Sequence, residues 1–287
     1  MQKFQECCMN NRGLEDRYMK IDSHSHIFSW NGVNYDYDQY PSLLEYQKTI
    51  GVDMNGVIAG NDAEQEQLVE VVRKYPDKFY GIGYVDVHNM FESLKKISAY
   101  IEEGVIRGIK MHPYVQLFQL DAPEIYPVYE LALKYDIPVI FHVGWLNFNS
   151  IDPKAGIIAD YRYSCMGFPV QFGNVMERYP KLKLILAHMG GNYYFELLGL
   201  AERFENVYMD TAWLEHFASH NLPPVTEQQW IEHAVKFLGS KKVLYGGEGT
   251  LPEIIRSCNL TEEQKADILG ENAKRLYKLL RKQSELV

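Results

Sequence analysis

The chain is poor in cysteine, and the few it has form no pattern. Cys7, Cys8, Cys165 and Cys258 are its four, with no C-x-x-C pair among them. That removes the spacings of a zinc ribbon or a thioredoxin-type redox pair, and free thiols in a reducing compartment are the expectation. Long apolar runs are missing too: nothing approaches the ~18–20 residues that cross a bilayer. The opening MQKFQECCMNNRGLEDRYMK has no apolar stretch of signal-peptide length. A cytoplasmic protein is therefore expected. Positive charge is scarce: 29 Lys and Arg against 38 Asp and Glu leave a net charge of −9. Nucleic acid and anionic membrane are bound through basic surfaces, so neither is an expected partner. A small-molecule substrate is expected instead, and a homo-oligomer is left open. There is no internal repeat or low-complexity tract, and no Gly-rich phosphate turn follows the first strand-like segment. A doubly wound dinucleotide fold would carry such a turn.

What is present is a steady alternation of strand-like and helix-like segments. With 46% hydrophobic and 23% charged residues in 287, the chain has the make-up of a globular protein with a sizeable core. Strands are expected at Met19–Ile27, Val52–Ala59, Phe79–Val87, Val105–His112, Ile137–Val143, Leu182–His188, Val207–Thr211 and Lys242–Gly247. Most are nearly continuous apolar runs, the mark of strands buried on both faces of a parallel sheet. Helical periodicity follows them, as in Asn61–Tyr75 and Asn89–Glu103. The tail Thr261–Leu280 reads as helical, with Thr261 and Gln264 placed for a capping box. Eight strand–helix units predict a (β/α)8 TIM barrel over residues 19–287, with an N-terminal extension over 1–18 and C-terminal helices. Two connections, Phe28–Tyr46 and Trp145–Pro169, are long for a barrel and suit lids or specificity loops.

Five of the nine histidines lie at the downstream ends of four of these strands: His24 and His26, His112, His142 and His188. In a parallel barrel those ends converge on one mouth, and imidazole is the commonest protein ligand for zinc-like metals. His24 and His26 share a strand face at i and i+2, with Asp22 at the same parity as an orienting partner. His142 and His188 precede glycines that suit close approach of a substrate. Lys110 and His112 end the fourth strand. Lys110 reads either as a carbamylated bridge between metals or as a cation for an anionic substrate, and His112 and Trp145 as further substrate contacts. Asp210 and Glu248 end the seventh and eighth strands, where a carboxylate can complete a metal shell or act as general base.

The motifs IDSHSH, GIKMHP, PVIFHVG, KLILAHMGG, NVYMDTAW, VLYGGEGT and ILGENAKRLYKL, in this order over residues 19–282, resemble the amidohydrolase superfamily. Its amidohydrolase-related branch of hydrolases, lactonases and decarboxylases looks most similar. The resemblance implies a divalent metal, zinc above all, on His24, His26 and His142. It also implies that His188 binds a second metal or positions water and substrate. The family's eighth strand normally ends Gly-Ser-Asp, whereas this chain has Gly247-Glu248, one methylene longer. The expected metal donors are thus His24, His26, His142, His188 and Glu248, and the expected catalytic groups Glu248, His188 and Asp210. Metal-assisted hydrolysis of a small amide, lactone or ester is the leading expectation. Decarboxylation of an aromatic or unsaturated acid is the alternative, and a barrel that has lost its chemistry the third.

Overall fold

The computed structural model describes residues 18–26, 43–144 and 167–279. Nearly all of the expected extension 1–18, most of the two long loops, Trp145, Cys7, Cys8, Cys165 and the end of the tail lie outside the described residues. Eight parallel strands pair in chain order: β1 (Ile21–His26), β2 (Met54–Ile58), β3 (Phe79–Tyr84), β4 (Ile106–Met111), β5 (Val139–Phe141), β6 (Leu184–Leu186), β7 (Val207–Asp210) and β8 (Val243–Leu244). Each falls inside a segment expected from its apolar run. The intervening helices are α1 (Leu43–Ile50), α2 (Asp62–Lys74), α3 (Met90–Glu103), α4 (Pro113–Gln116), α5 (Tyr126–Tyr135), α6 (Phe172–Arg178), α7 (Tyr194–Arg203), α8 (Leu214–Ser219), α9 (Glu227–Leu238) and α10 (Pro252–Ser257). Helices α1, α4, α8 and α10 were not expected, because so few turns leave too short a period to read.

The sheet curls into a (β/α)8 barrel. Its two ends are tied by Ser23, whose N–H (2.9 Å) and Oγ (2.6 Å) both donate to the Tyr245 carbonyl. Gly247 N–H adds a bond to the Asp22 carboxylate at 2.8 Å.

The interior holds one apolar layer drawn from nearly every strand: Ile21, Ile58, Tyr80, Ile82, Ile140, Ile185, Tyr208 and Leu244. Ala273, Leu276 and Tyr277 join it from the C-terminal helical run, which comprises α11 (Glu262–Ala266), a π-helical turn (Asp267–Glu271) and α12 (Asn272–Leu276). The expected capping box of Thr261 and Gln264 starts that run. The π-helical turn frees the Ile268 carbonyl, which accepts the Tyr245 N–H at 2.8 Å. Gly108 on β4 makes room for the floor, since a Cβ there would lie 2.9 Å from the Tyr277 ring. The floor closes the N-terminal end of the barrel and leaves the C-terminal strand ends as its mouth.

Candidate metal centre

Strand β1 reaches the mouth through a slip of register. Asp22 pairs with Asn55 and Ser25 with Val57, so β1 carries one extra residue between them. Because side chains alternate along a strand, that residue puts Ile21 and His26 on the same inner face. The expected parity of Asp22 with the two histidines is therefore corrected. Asp22 faces away from the imidazoles and binds backbone and β2 instead. It accepts from His24 N–H (2.9 Å), Ser25 Oγ (2.7 Å), Asn55 Nδ2 (3.2 Å) and Gly247 N–H (2.8 Å). Burial outweighs these bonds and raises its pKa to about 6.

The hydrogen bonds of the imidazoles decide which nitrogens remain free. His24 Nδ1 donates to Asp210 Oδ2 at 2.9 Å, leaving the Nε2 lone pair for the mouth. The other Asp210 oxygen accepts from His188 N–H (2.9 Å) and Ala212 N–H (3.1 Å). Asp210 thus orients His24 and ties β7 to the loop after β6. Burial opposes the charge of its carboxyl, but His24, His188 and Lys110 hold it well below the usual carboxylate range.

His188 Nδ1 faces the Ala212 carbonyl at 2.9 Å and His142 Nε2 the Gly144 carbonyl at 3.1 Å, and both nitrogens must donate. The remaining nitrogens, His188 Nε2 and His142 Nδ1, are then two bare lone pairs 3.0 Å apart. Such a pair repels unless a cation lies between or beside it. Two ligands ~2.0–2.1 Å from one metal ion stand about 3–3.4 Å apart. Burial, and after it the neighbouring charges, push His26, His142 and His188 well below the usual imidazole range and so keep them neutral, as metal ligation requires.

Glu248 completes the arrangement. It is only 5% exposed, and its Oε2 makes no hydrogen bond. That oxygen lies 3.5 Å from His24 Nε2 and 3.7 Å from His188 Nδ1, while Oε1 lies 3.6 Å from His26 Nε2. Ligand atoms of His24, His188 and Glu248 all lie within 4.8 Å of one another, a set that can hold a metal ion. His26 and His142 flank this set, so the tightest group differs from the trio His24, His26 and His142. Two causes are visible. His188, just past the end of β6, has φ 59°, which turns its ring into the mouth although the parity counted on from β6 is outward, and Glu248 is long enough to reach the centre.

A family model described as Amidohydrolase matches residues 21–279. The chain belongs to this family. A 2-amino-3-carboxymuconate-6-semialdehyde decarboxylase from Dictyostelium discoideum is 23% identical over 237 residues, 72% of this chain; the match spans 63% of that relative's length. An uncharacterized TIM-barrel protein from Bordetella bronchiseptica superposes with a TM-score of 0.69 at 19% identity, covering 91% of this chain and 98% of that one. A 5-carboxyvanillate decarboxylase from Novosphingobium aromaticivorans, complexed with manganese and 4-hydroxy-3-methoxy-5-nitrobenzoic acid, superposes with a TM-score of 0.63 at 18% identity. It covers 92% of this chain and 97% of that one.

Lys110 is buried with Nζ 3.2 Å from His24 Nε2, and burial lowers its pKa to about 8. His112 caps α4 and lies flat on His142, with rings 4.2 Å apart and 7° from parallel, which makes it a wall of the mouth. Trp145, the third expected substrate contact, lies outside the described residues. The glycines expected to face substrate are packed instead: a Cβ on Gly191 would meet Gly144 Cα at 3.0 Å, with Phe217 on the other side. Gly246 is equally confined, 3.0 Å from His24 Cβ by the same measure, and of the three glycines around Glu248 only Gly249 borders open space. Sequence reasoning missed Trp213. It follows the Asp210–Ala212 stretch with φ 53° and lines a cleft beside Glu248. Its place in NVYMDTAW was the available signal.

Proposed function

We propose that this member of the family is a metal-dependent decarboxylase of an unsaturated or aromatic acid. The observation that carries the reading is Lys110, a buried amine at the mouth whose Nζ stands 3.2 Å from His24 Nε2. Burial lowers its pKa to about 8, while the charges of Asp210 and Glu248 favour its ammonium form. A substrate carboxylate adds an opposite charge to the partners Lys110 already has, the His24 Nε2 lone pair and the charges of Asp210 and Glu248, whereas a neutral amide or lactone adds none. The decarboxylase from Dictyostelium discoideum supports the same class.

His24, His188 and Glu248, with His26 and His142 beside them, would hold the metal. When bound, a divalent metal supplies fixed positive charge that favours negative charge building on the substrate. Zinc is the ion the resemblance implies and manganese the one in the neighbour's structure; imidazoles with a carboxylate suit both. Lys110 holds the carboxylate. The carbon–carbon bond breaks with its electron pair left on the substrate carbon, CO2 departs neutral, and a proton forms the new C–H bond. Glu248 is placed to deliver that proton: its Oε2 makes no hydrogen bond, and burial raises its pKa. Its oxygens face different imidazoles, so one can stay with the donor set while the other carries the proton.

Hydrolysis of an amide, lactone or ester is the second reading, favoured by the family's description and by a Glu248 oxygen free to act as base. Metal-replete protein assayed for CO2 release from carboxylated aromatics, beside an ester and lactone panel, separates the two. Glu248→Gln should lower turnover by about 10²–10⁴-fold while the imidazoles and the new amide oxygen keep metal bound, and Glu248→Asp should retain or raise it. Ester turnover without CO2 release replaces the decarboxylase reading. A silent wild type that gains activity as Glu248→Asp marks a site that has lost catalysis.

A further inference from the structure

Non-glycine residues with left-handed backbone fall into two groups among the described residues. Leu117, Asp136 and Lys278 end helical turns. His188, Met189, Trp213 and Glu248 cluster at the mouth, with φ between 45° and 59°. Bulky side chains occupy this region at a cost of about 1–3 kcal/mol, and such strain gathers at functional sites. His188 and Glu248 are metal donors and Met189 is buried in the core. Trp213 has no such explanation.

Its surroundings supply one. Trp213 is half-buried, stacked on His216 with rings 4.2 Å apart and 7° from parallel, and set edge-on to His188 at 6.1 Å. It lines a cleft of about 280 Å³ with Glu215, His216, Ser219, Glu248 and Gly249. The cleft therefore runs from the candidate metal donors to the surface along an aromatic wall. Among the described residues no lysine or arginine lines it. Burial, and then His220, lowers the pKa of His216 and keeps it neutral. The free charge at the outer end is Glu215, exposed and close enough to Glu227 to raise that carboxyl's pKa. The one cation described at the site, Lys110, lies against His24.

We propose that this cleft receives the part of the substrate remote from the departing carboxylate. Trp213 is the wall on which a planar group lies. Glu215 admits a hydroxyl or amine and turns away a second carboxylate. The substrate is thus a planar mono-acid bearing a hydrogen-bond donor. Only the identity of its other end rests on the decarboxylase reading.

Equilibrium binding to metal-loaded protein tests this without turnover, with para-aminobenzoate, para-hydroxybenzoate and terephthalate as probes and tryptophan fluorescence as a second signal. Wild type should bind the first two at least ~10-fold more tightly than the diacid, and Glu215→Lys should invert that order. Trp213→Phe should keep the order but lose the fluorescence quench, and Trp213→Leu should weaken all three. Glu215 is exposed, so its variant should fold; if Glu215→Lys does not, Glu215→Gln must still narrow the preference. A diacid bound as tightly as the amine by wild type, or an order indifferent to residue 215, overturns the proposal. Probes that bind in the expected order but release no CO2 defeat the decarboxylase reading and leave the cleft assignment standing.

Discussion

At the mouth, the proton on one imidazole nitrogen decides whether the other can hold a metal. Asp210 fixes that choice for His24 by accepting from Nδ1. In Asp210→Asn the amide can keep its oxygen toward the backbone N–H groups of His188 and Ala212, but its NH2 then faces Nδ1. The imidazole proton is driven to Nε2 and the lone pair is lost. Metal affinity should fall about 10–100-fold in a chelator competition, with the thermal midpoint little changed. Unaltered affinity would mean that His24 does not depend on Asp210 for its tautomer. The histidines themselves were legible in the sequence because each ends an apolar run. The hydrogen bonding of Asp210 was not, because it depends on donors that the fold brings from His24 and His188, far away in the chain. His188 shows the same limit: its strand parity is outward, and only a left-handed backbone brings its ring inward.

Elements rather than residues explain why β8 is only two residues long. Beyond Leu244 its groups pair with other partners, Tyr245 N–H with the π-helical turn and Gly247 N–H with Asp22. That turn needs Gly270, because a Cβ there would strike the Met19 carbonyl oxygen, a backbone atom that cannot step aside. Gly270→Ala should therefore destabilise the fold by about 1–3 kcal/mol, read as a lower urea midpoint at unchanged slope. Metal binding at the opposite end should persist in the folded fraction. An unmoved midpoint would show that the helix can shift at no cost. The strands and the long helices were readable because apolar periodicity survives in them for a full span. The register slip in β1 and the π-helical turn each insert a single residue into a repeating pattern, and no local sequence signal marks either.

For the molecule as a whole, pH should act through a half-buried acid outside the candidate metal donors as well as through the mouth. Burial, and then the charge of Glu215, raises Glu227 to about 7, against ~4.3 in the unfolded chain. Between those values the folded state keeps a proton that the unfolded state has lost. The stability Glu227 contributes is thus complete below the lower value and is lost as pH rises through the upper one. Glu227→Gln should raise the thermal midpoint relative to wild type at alkaline pH and give no such gain under mildly acidic conditions. An equal shift at both ends would exclude titration of Glu227 as the cause. The barrel floor acts at the same scale. Its Ala273, Leu276 and Tyr277 are translated after every strand they fill, so a nascent chain that has already made β8 still has an interior open to water at one end. The barrel is consequently finished only once the segment that follows β8 has been made. A chain that stalls or is cut before residue 262 would present Tyr80 and Ile185 to chaperones and proteases rather than a finished barrel.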